Sequence, residues 1–396
     1  MSDHYDFLIA GAGIFGLSTA IELRKRKYSV GLLNPDTIPH PLAASTDISK
    51  VVRMEYGTDD EYMDMAAYCM DGWRSWNELF GEELYHEVGF ILATRSPFSD
   101  PGDSFEAASY RKLLDKGYSP VRLNGNIGAY FPAFNPQVYP DGFYNPTAGF
   151  VESGRIIKKL ADYAEQLGVV IHQGQTAQVL EQAGGKCTAI STREGVRFEA
   201  GHVVVCAGVF TPWLLPELQP YIKATGHPVF HLRPGKPELF TYPRFAVFSA
   251  DISNTGWYGF PVHPTEGVVK IANHGVGVTL HPENDARVVT AEDKRKLRDF
   301  LRESLPALAD DPIVYTRRCL YTDTLDGHFW IDRHPGIEGL TVGTGGSGHA
   351  LKMGPVLGEL IADAAEGRTH RWSARYRWRH IESGIQQEEE ARFKEN

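Results

Sequence analysis

From Asp6 to Asn34 the chain reads DFLIAGAGIFGLSTAIELRKRKYSVGLLN. The apolar run Asp6 to Ala10 predicts a short buried strand, Leu17 to Arg24 a helix, and Tyr28 to Leu33 a second strand. Gly11, Gly13 and Gly16 supply a GxGxxG turn between the first strand and the helix, with Ile14 and Phe15 inside it. The three glycines serve a tight turn, close approach of backbone to a pyrophosphate, and close helix–strand packing, in that order. The helix N-terminus then offers N–H groups and a partial positive charge to phosphate. A lone GxGxxG is weak, but strand, glycine turn, helix and strand in this order are specific for a dinucleotide-binding unit. The fold class expected is α/β with a Rossmann-like core.

The end of the second strand departs from the usual signature. An Asp or Glu there would bind the adenosine ribose, whereas this chain has Asn34, with Asp36 two residues on. An amide hydrogen-bonds hydroxyls less strongly than a carboxylate does. Either residue is a candidate ribose contact.

Later segments bear on which dinucleotide binds. Gly201 to Pro216, GHVVVCAGVFTPWLLP, is a buried β run that ends in Cys-Ala-Gly at Gly208. Gly339 to Gly367 reads as a strand, a glycine-rich loop and an amphipathic helix. A chain that returns to glycine-rich strand ends so late embraces a long cofactor with discontinuous segments. That favours FAD over NAD.

Composition narrows the class. The 396 residues are 42% hydrophobic and carry a net charge of −10, enough for a large core, expected as two domains. Without a long basic run, a nucleic-acid or anionic-membrane partner is not expected. No apolar run is long enough to cross a bilayer. The start, MSDHYD, lacks the basic character of a signal peptide, and the end, ARFKEN, matches neither a peroxisomal nor an ER-retention signal. A cytoplasmic protein is expected, with monomer as the default state. The four cysteines, Cys69, Cys187, Cys206 and Cys319, form no CxxC pair, so neither a metal site nor a disulfide framework is indicated.

Five motifs in order carry a resemblance: GAGIFGLSTA, AASTDISKVVRMEYG, WYGFP followed by VVKIANHG, RRCLYTDTLDGHFWID, and GTGGSGHALKMGP. Together they resemble the flavin-dependent amine oxidases of the monomeric sarcosine oxidase and fructosyl-amino-acid oxidase type, within the D-amino-acid oxidase superfamily. The resemblance runs from Asp6 to about Trp378, with little pattern from Pro97 to Ala148.

The resemblance implies roles residue by residue. Cys319 matches the cysteine that bonds through sulfur to the 8α-methyl of FAD, chemistry that asks for a thiolate, which a nearby cation such as Arg317 or Arg318 could stabilise. Lys270 matches the lysine above the flavin that helps oxygen react. It would share a strand face with Val268, Ala272 and His274, and burying it there is costly unless it is hydrated or paired. His274 matches an active-site histidine and Tyr258 a tyrosine lining the substrate cavity. Arg53 and Lys352 match the cations that hold a substrate carboxylate. Gly11, Gly13, Ile14, Phe15, Gly16, Asn34, Ala44, Ser45, Gly208, Gly346, Gly348, His349 and Lys352 would surround the cofactor. Lys50 is a departure: sarcosine oxidases carry arginine at that flavin-facing position, and fructosyl-amine relatives carry lysine, which keeps the charge and loses the planar stacking partner.

The resemblance implies two interleaved domains. A Rossmann-like FAD-binding domain would use residues 1–80, 149–216 and 319–378, and a mixed-sheet α+β substrate domain 81–148 and 217–318. A solvated, charged tail would run over 379–396. Glu292 to Leu308 reads as an amphipathic helix of the substrate domain. The activity implied is oxidation of a secondary amine, such as an N-methyl, fructosyl or cyclic amino acid, to an imine, with O2 reduced to H2O2. A dehydrogenase with another electron acceptor, a flavoprotein of secondary metabolism acting on a larger amine, and a flavin-bearing scaffold without turnover remain the alternatives.

Overall fold

The computed structural model describes residues 4–98, 104–382 and 390–394. The opening stretch forms strand β1 (His4–Ala10), helix α1 (Ile14–Lys25) and strand β2 (Val30–Asn34), so the helix begins three residues earlier than its apolar pattern predicts. β1 pairs in parallel with β2 and with Arg197–Val205, which pairs in parallel with Leu340–Thr344, while Val170–Gln173 adds to the far side of β2. Ala10, Leu33, Val205 and Val342 are in register, which brings the carboxyl ends of four parallel strands to one edge. In parallel sheets of this kind, that edge is where ligands bind. The strands are buried on both faces, so they read as continuous apolar runs rather than alternating ones.

The helix Gly354–Glu366 lies on α1, where Gly358 sits over Ser18 and Ser18 Oγ donates to Gly354 O at 3.0 Å. A side chain at 358 would strike the Ser18 backbone, so this close crossing depends on the glycine.

The second sheet carries β3 (Ile222–Leu232), β4 (Trp257–Gly259), β5 (Val269–Asn273), helix α2 (Ala291–Ser304) against one face, and β6 (Ile313–Thr324). β3 pairs antiparallel with β5 and with the whole of β6. Alternation along these strands divides the residues by face. Phe230, Leu232, Val269 and Ile271 join Leu297, Phe300 and Leu301 of α2 in one apolar cluster, and Trp257 stacks on Phe300 at 5.0 Å between ring centroids. Val229, Ala272, Cys319 and Tyr321 cluster on the opposite face, with Tyr258 against them. α2 is held at its start by a reciprocal Thr290–Asp293 capping box. It stops at Ser304, four residues before the expected Leu308, and Pro306–Leu308 continues as a separate short turn.

Two expectations change. The boundary placed at Cys319 falls inside one continuous strand: Cys319 to Thr324 stay paired with β3, and the chain returns to the first sheet only at Trp330–Arg333. Of the tail, residues 383–389, 395 and 396 lie outside the described residues. Ala391 and Arg392 are not solvated but buried, and Arg392 pairs with Asp323 at 2.8 Å. No helix among the described residues is long and apolar enough to cross a membrane.

Candidate active site

The carboxyl edge of the first sheet is a glycine-built cradle. Gly11 turns away from β1 at φ +107, a conformation side chains disfavour, and a Cβ there would meet the Cys206 carbonyl. The N–H of Ile14, first in α1, donates to Ser45 Oγ at 3.1 Å, so Ser45 and Ala44 arrive at the helix N-terminus from the loop after β2. That loop is pinned by Arg317, whose guanidinium donates to the carbonyls of Thr46 at 2.6 Å and of Pro41 and Ala43 at 3.2 Å each. Gly208 opens a short turn just after Arg197–Val205, and Gly346 lies beside the Phe15 ring. Asn34, at the end of β2, spends its amide N–H groups on the carbonyls of Asp36 at 2.6 Å and Thr37 at 3.3 Å. Its amide thereby shapes the loop, while Asp36 is exposed.

The inner face of the second sheet carries Lys270 on β5 and Arg317 and Cys319 on β6. Arg317 and Cys319 lie on it, two residues apart, and Arg317 Nη2 donates to Cys319 Sγ at 3.4 Å. Arg318, one residue between them, points to the other face, where it bonds Asp293 and the carbonyl of Val288. Neither arginine faces solvent. All four cysteines are free and buried, but their acidities diverge. Burial pushes Cys69 and Cys206 up, the latter to about 12, and Cys187 to about 11. Burial acts in the same direction on Cys319, yet Arg317, Lys50 and Lys270 outweigh it and lower its thiol. Among the four, Cys319 alone is disposed toward thiolate.

Lys270 is 2% exposed. Its Nζ meets Asp47 Oδ2 at 2.8 Å, donates to the Ser49 carbonyl, and lies 4.8 Å from the centre of the Phe260 ring. Burial lowers its pKa from 10.5 to about 8, with Lys50 and Arg317 acting in the same direction and Asp47 opposing them. For Asp47, burial favours the acid, but Lys270, His231, Lys50 and Arg317 hold the carboxyl well below its usual range.

Lys50, Arg53, Tyr258, Lys270, His274, Tyr321, Gly348, His349 and Lys352 line one cavity of about 60 Å³, with apolar walls from Val51, Phe90, Ile252, Phe260 and Leu351. Arg53, on the chain just after the short strand Lys50–Val52, lies 5.1 Å from the Tyr56 ring centre and 5.6 Å from that of Phe105. Lys352 Nζ donates to Tyr56 Oη at 3.0 Å, and the same hydroxyl meets His349 Nδ1 at 3.1 Å. Trp73 Nε1 donates to the Lys352 carbonyl at 2.8 Å, which fixes the backbone there. Gly348 turns at φ +78, where a Cβ would press on the Tyr321 ring at 2.5 Å.

The fold therefore gathers Lys50, Arg53, Tyr258, Lys270, His274, His349 and Lys352 around one space. Cys319 lies behind Tyr258 and Tyr321 on the same sheet face, and Asn34 belongs to the far end of the glycine edge. Asp47, His231, Tyr56, Tyr321 and Arg392 were missed by sequence reasoning. Asp47 sits inside the AASTDISKVVRMEYG motif, and its acidic side chain three residues before Lys50 was the available signal. Nothing local marks Arg392.

A family model described as FAD dependent oxidoreductase matches residues 6–364. The chain belongs to that family. Among curated relatives of this FAD-dependent oxidoreductase, L-saccharopine oxidase of Schizosaccharomyces pombe is 28% identical, over 94% of this chain and 92% of the relative. Peroxisomal sarcosine oxidase of Mus musculus is also 28% identical, over 91% of this chain and 92% of its own. The crystal structure of fructosyl amine: oxygen oxidoreductase (Amadoriase I) from Aspergillus fumigatus shares the fold, with a TM-score of 0.79 over 96% of this chain and 90% of that one at 24% identity. The residues present fit FAD: a helix N-terminus and glycine edge suit its diphosphate, and the cations around Cys319 suit a ring system that gains negative charge when it accepts electrons.

Proposed function

We propose that this chain oxidises a secondary amine whose neighbouring carbon bears a carboxylate, giving an imine and, with O2 as acceptor, hydrogen peroxide. The observation that carries the reading is the single cavity in which Arg53 and Lys352 sit with Tyr258, His274 and Lys270. Saccharopine and sarcosine, the compounds named for the two curated relatives, are secondary amines with such a carboxylate.

Gly11, Gly13, Ile14, Phe15, Gly16, Ala44 and Ser45 would hold the diphosphate end of FAD, with Asn34 toward the ribose. Gly208, Gly346, Gly348, His349 and Lys50 would border its ring system, and Cys319 would carry it through an 8α-S-cysteinyl bond. Bound FAD supplies an acceptor for the hydride equivalent from the carbon beside the amine. Arg53 pairs bidentately with the substrate carboxylate and Lys352 adds a point charge. Holding that carboxylate removes the orientational freedom of the amine, which supplies much of the barrier reduction. The same cations favour the neutral, reactive form of the amine. Phe90, Ile252, Phe260 and Leu351 keep water from the reacting carbon. Lys270 places positive charge where oxygen gains electrons, a fixed electrostatic contribution.

The test is a peroxide-coupled screen of N-methyl, fructosyl and cyclic amino acids and saccharopine on purified protein. One peroxide per imine is expected. Flavin bleaching without peroxide under air would assign the electrons to another acceptor, and failure of every amine to bleach the flavin anaerobically would overturn the proposal.

A further inference from the structure

Turning O2 into H2O2 takes two electrons and two protons. Bound FAD would supply both electrons and one of the protons when it is reoxidised. The second proton must come from outside the flavin. Lys270, the group placed next to oxygen in the proposed reaction, is 2% exposed, so bulk water reaches it poorly.

Behind Lys270 lies a chain of titratable side chains that the amine half-reaction does not use. His231 of β3 is the direct cross-strand partner of Lys270 on β5 and of Tyr315 on β6, so the three stand in one row on the inner face. Asp47, from the loop that also carries Ser45, inserts between the first two. Its Oδ2 lies 2.8 Å from Lys270 Nζ and its Oδ1 lies 3.3 Å from His231 Nε2. Exposure grades outward along the row. Lys270 and Asp47 side chains are each 2% exposed, His231 is 9%, and Tyr315, whose ring lies 4.8 Å from that of His231, is exposed. The buried members thus touch one another and the outermost meets solvent.

We propose that His231 and Asp47 form a proton path from the sheet's outer edge to Lys270 and supply the proton taken up when oxygen becomes peroxide. The proposal rests on the oxidase reading of Lys270. In the balanced step, the Lys270 ammonium gives one proton to the forming peroxide. Asp47 then passes a proton from the His231 imidazolium to the resulting amine, and His231 is reprotonated from water. The carboxylate ends as it began, and no bond other than N–H and O–H changes in the relay. The other charges facing it are Lys50, Arg317 and the Cys319 thiol near Asp47 and Lys270. Lys50 and Arg317 ease proton loss from Lys270, which suits a donor that must release and recover a proton each turnover. His231 and Asp47 act through Lys270 and are positioning residues in this scheme.

The test separates the relay from the oxidase reading beneath it. In His231→Gln, anaerobic flavin reduction by the amine should stay as in the parent, while reoxidation by O2 above pH 8 should slow ~100-fold, the usual scale for loss of a proton donor. Added imidazole should restore it, which a merely structural role would not allow. Independently of turnover, the ¹⁵N-detected titration of Lys270 in flavin-free protein should move downward in Asp47→Asn, because the facing carboxylate is gone. That readout stands even if His231→Gln does not fold. Unchanged reoxidation in His231→Gln with peroxide still formed, or an unmoved Lys270 titration in Asp47→Asn, overturns the relay. Absence of peroxide from the parent protein with every amine overturns the oxidase reading instead.

Discussion

Asp47 and Lys270 offer a double-mutant cycle whose outcome is signed in advance. Their charges meet at 2.8 Å with 2% of either side chain exposed, so solvent does not screen them. In Lys270→Met the buried carboxylate loses its nearest partner, and breaking such a pair from one side costs about 3–5 kcal/mol. Replacing both partners by neutral groups of similar size should be close to neutral, because the desolvation cost disappears with the attraction. Asp47→Asn should fall between, since the orphaned amine can lose its proton rather than stay charged. With about 2.1 cal/mol/K of unfolding entropy per residue, the 396-residue chain has roughly 0.8 kcal/mol/K, so 3–5 kcal/mol lowers Tm by about 4–6 °C. Scanning calorimetry of the flavin-loaded single and double variants at pH 7 measures all four corners. A Lys270→Met/Asp47→Asn Tm lowered by the sum of the two singles would refute the reasoning, as would a Lys270→Met Tm within 1 °C of the parent. The pH dependence carries its own sign. The unfolded lysine holds its proton up to about 10.5 and the folded one up to about 8, so between those values the unfolded chain binds the extra proton. The parent's stability should therefore rise with pH across that window, by ~3 kcal/mol at about 1.4 kcal/mol per pH unit, and Lys270→Met should lack the rise.

Acid precipitation of Cys319→Ala should leave the yellow colour in the supernatant, whereas it should stay with the parent polypeptide; free flavin from the parent would exclude the covalent bond. Arg317→Gln should raise the Cys319 thiol and slow covalent flavin incorporation near neutral pH, which in-gel flavin fluorescence during reconstitution would follow. Arg53→Gln should raise KM for a carboxylate-bearing amine by roughly 10- to 150-fold, the equivalent of a charge-assisted contact of about 1.5–3 kcal/mol, and leave amines without a carboxylate unaffected. Phe300→Ala should cost about 3–5 kcal/mol of stability through the cavity left under Trp257, with KM unchanged, because that contact lies on the outer face of the second sheet.

What was legible in advance followed from local chemistry. The turn at Gly11 and the short first strand are dictated within thirty residues, since a positive φ and close helix packing admit little but glycine. The alternation along Val268 to His274 likewise put Lys270 and Ala272 on one face, and the paired strands keep those two there. The same period-two rule was available for Arg317 and Arg318 and yields opposite faces for the two, although which face meets Cys319 needed the sheet.

The rest depends on contacts between segments far apart in the chain. Arg392 is buried against Asp323, and the N–H of Phe393 donates to the His274 carbonyl at 3.1 Å, though their stretch reads as a charged, solvated tail. Charge predicts exposure only when no opposite charge waits in the fold. Sequence by itself determined the nucleotide edge and the family resemblance, because strand period, glycine geometry and motif order are local properties. Only the tertiary structure decided the acidity of Cys319, the ion pair of Lys270 and the row that leads from it to solvent. Those are set by which charges share a desolvated space, and electrostatic energy there depends on distance through the fold rather than on separation along the chain.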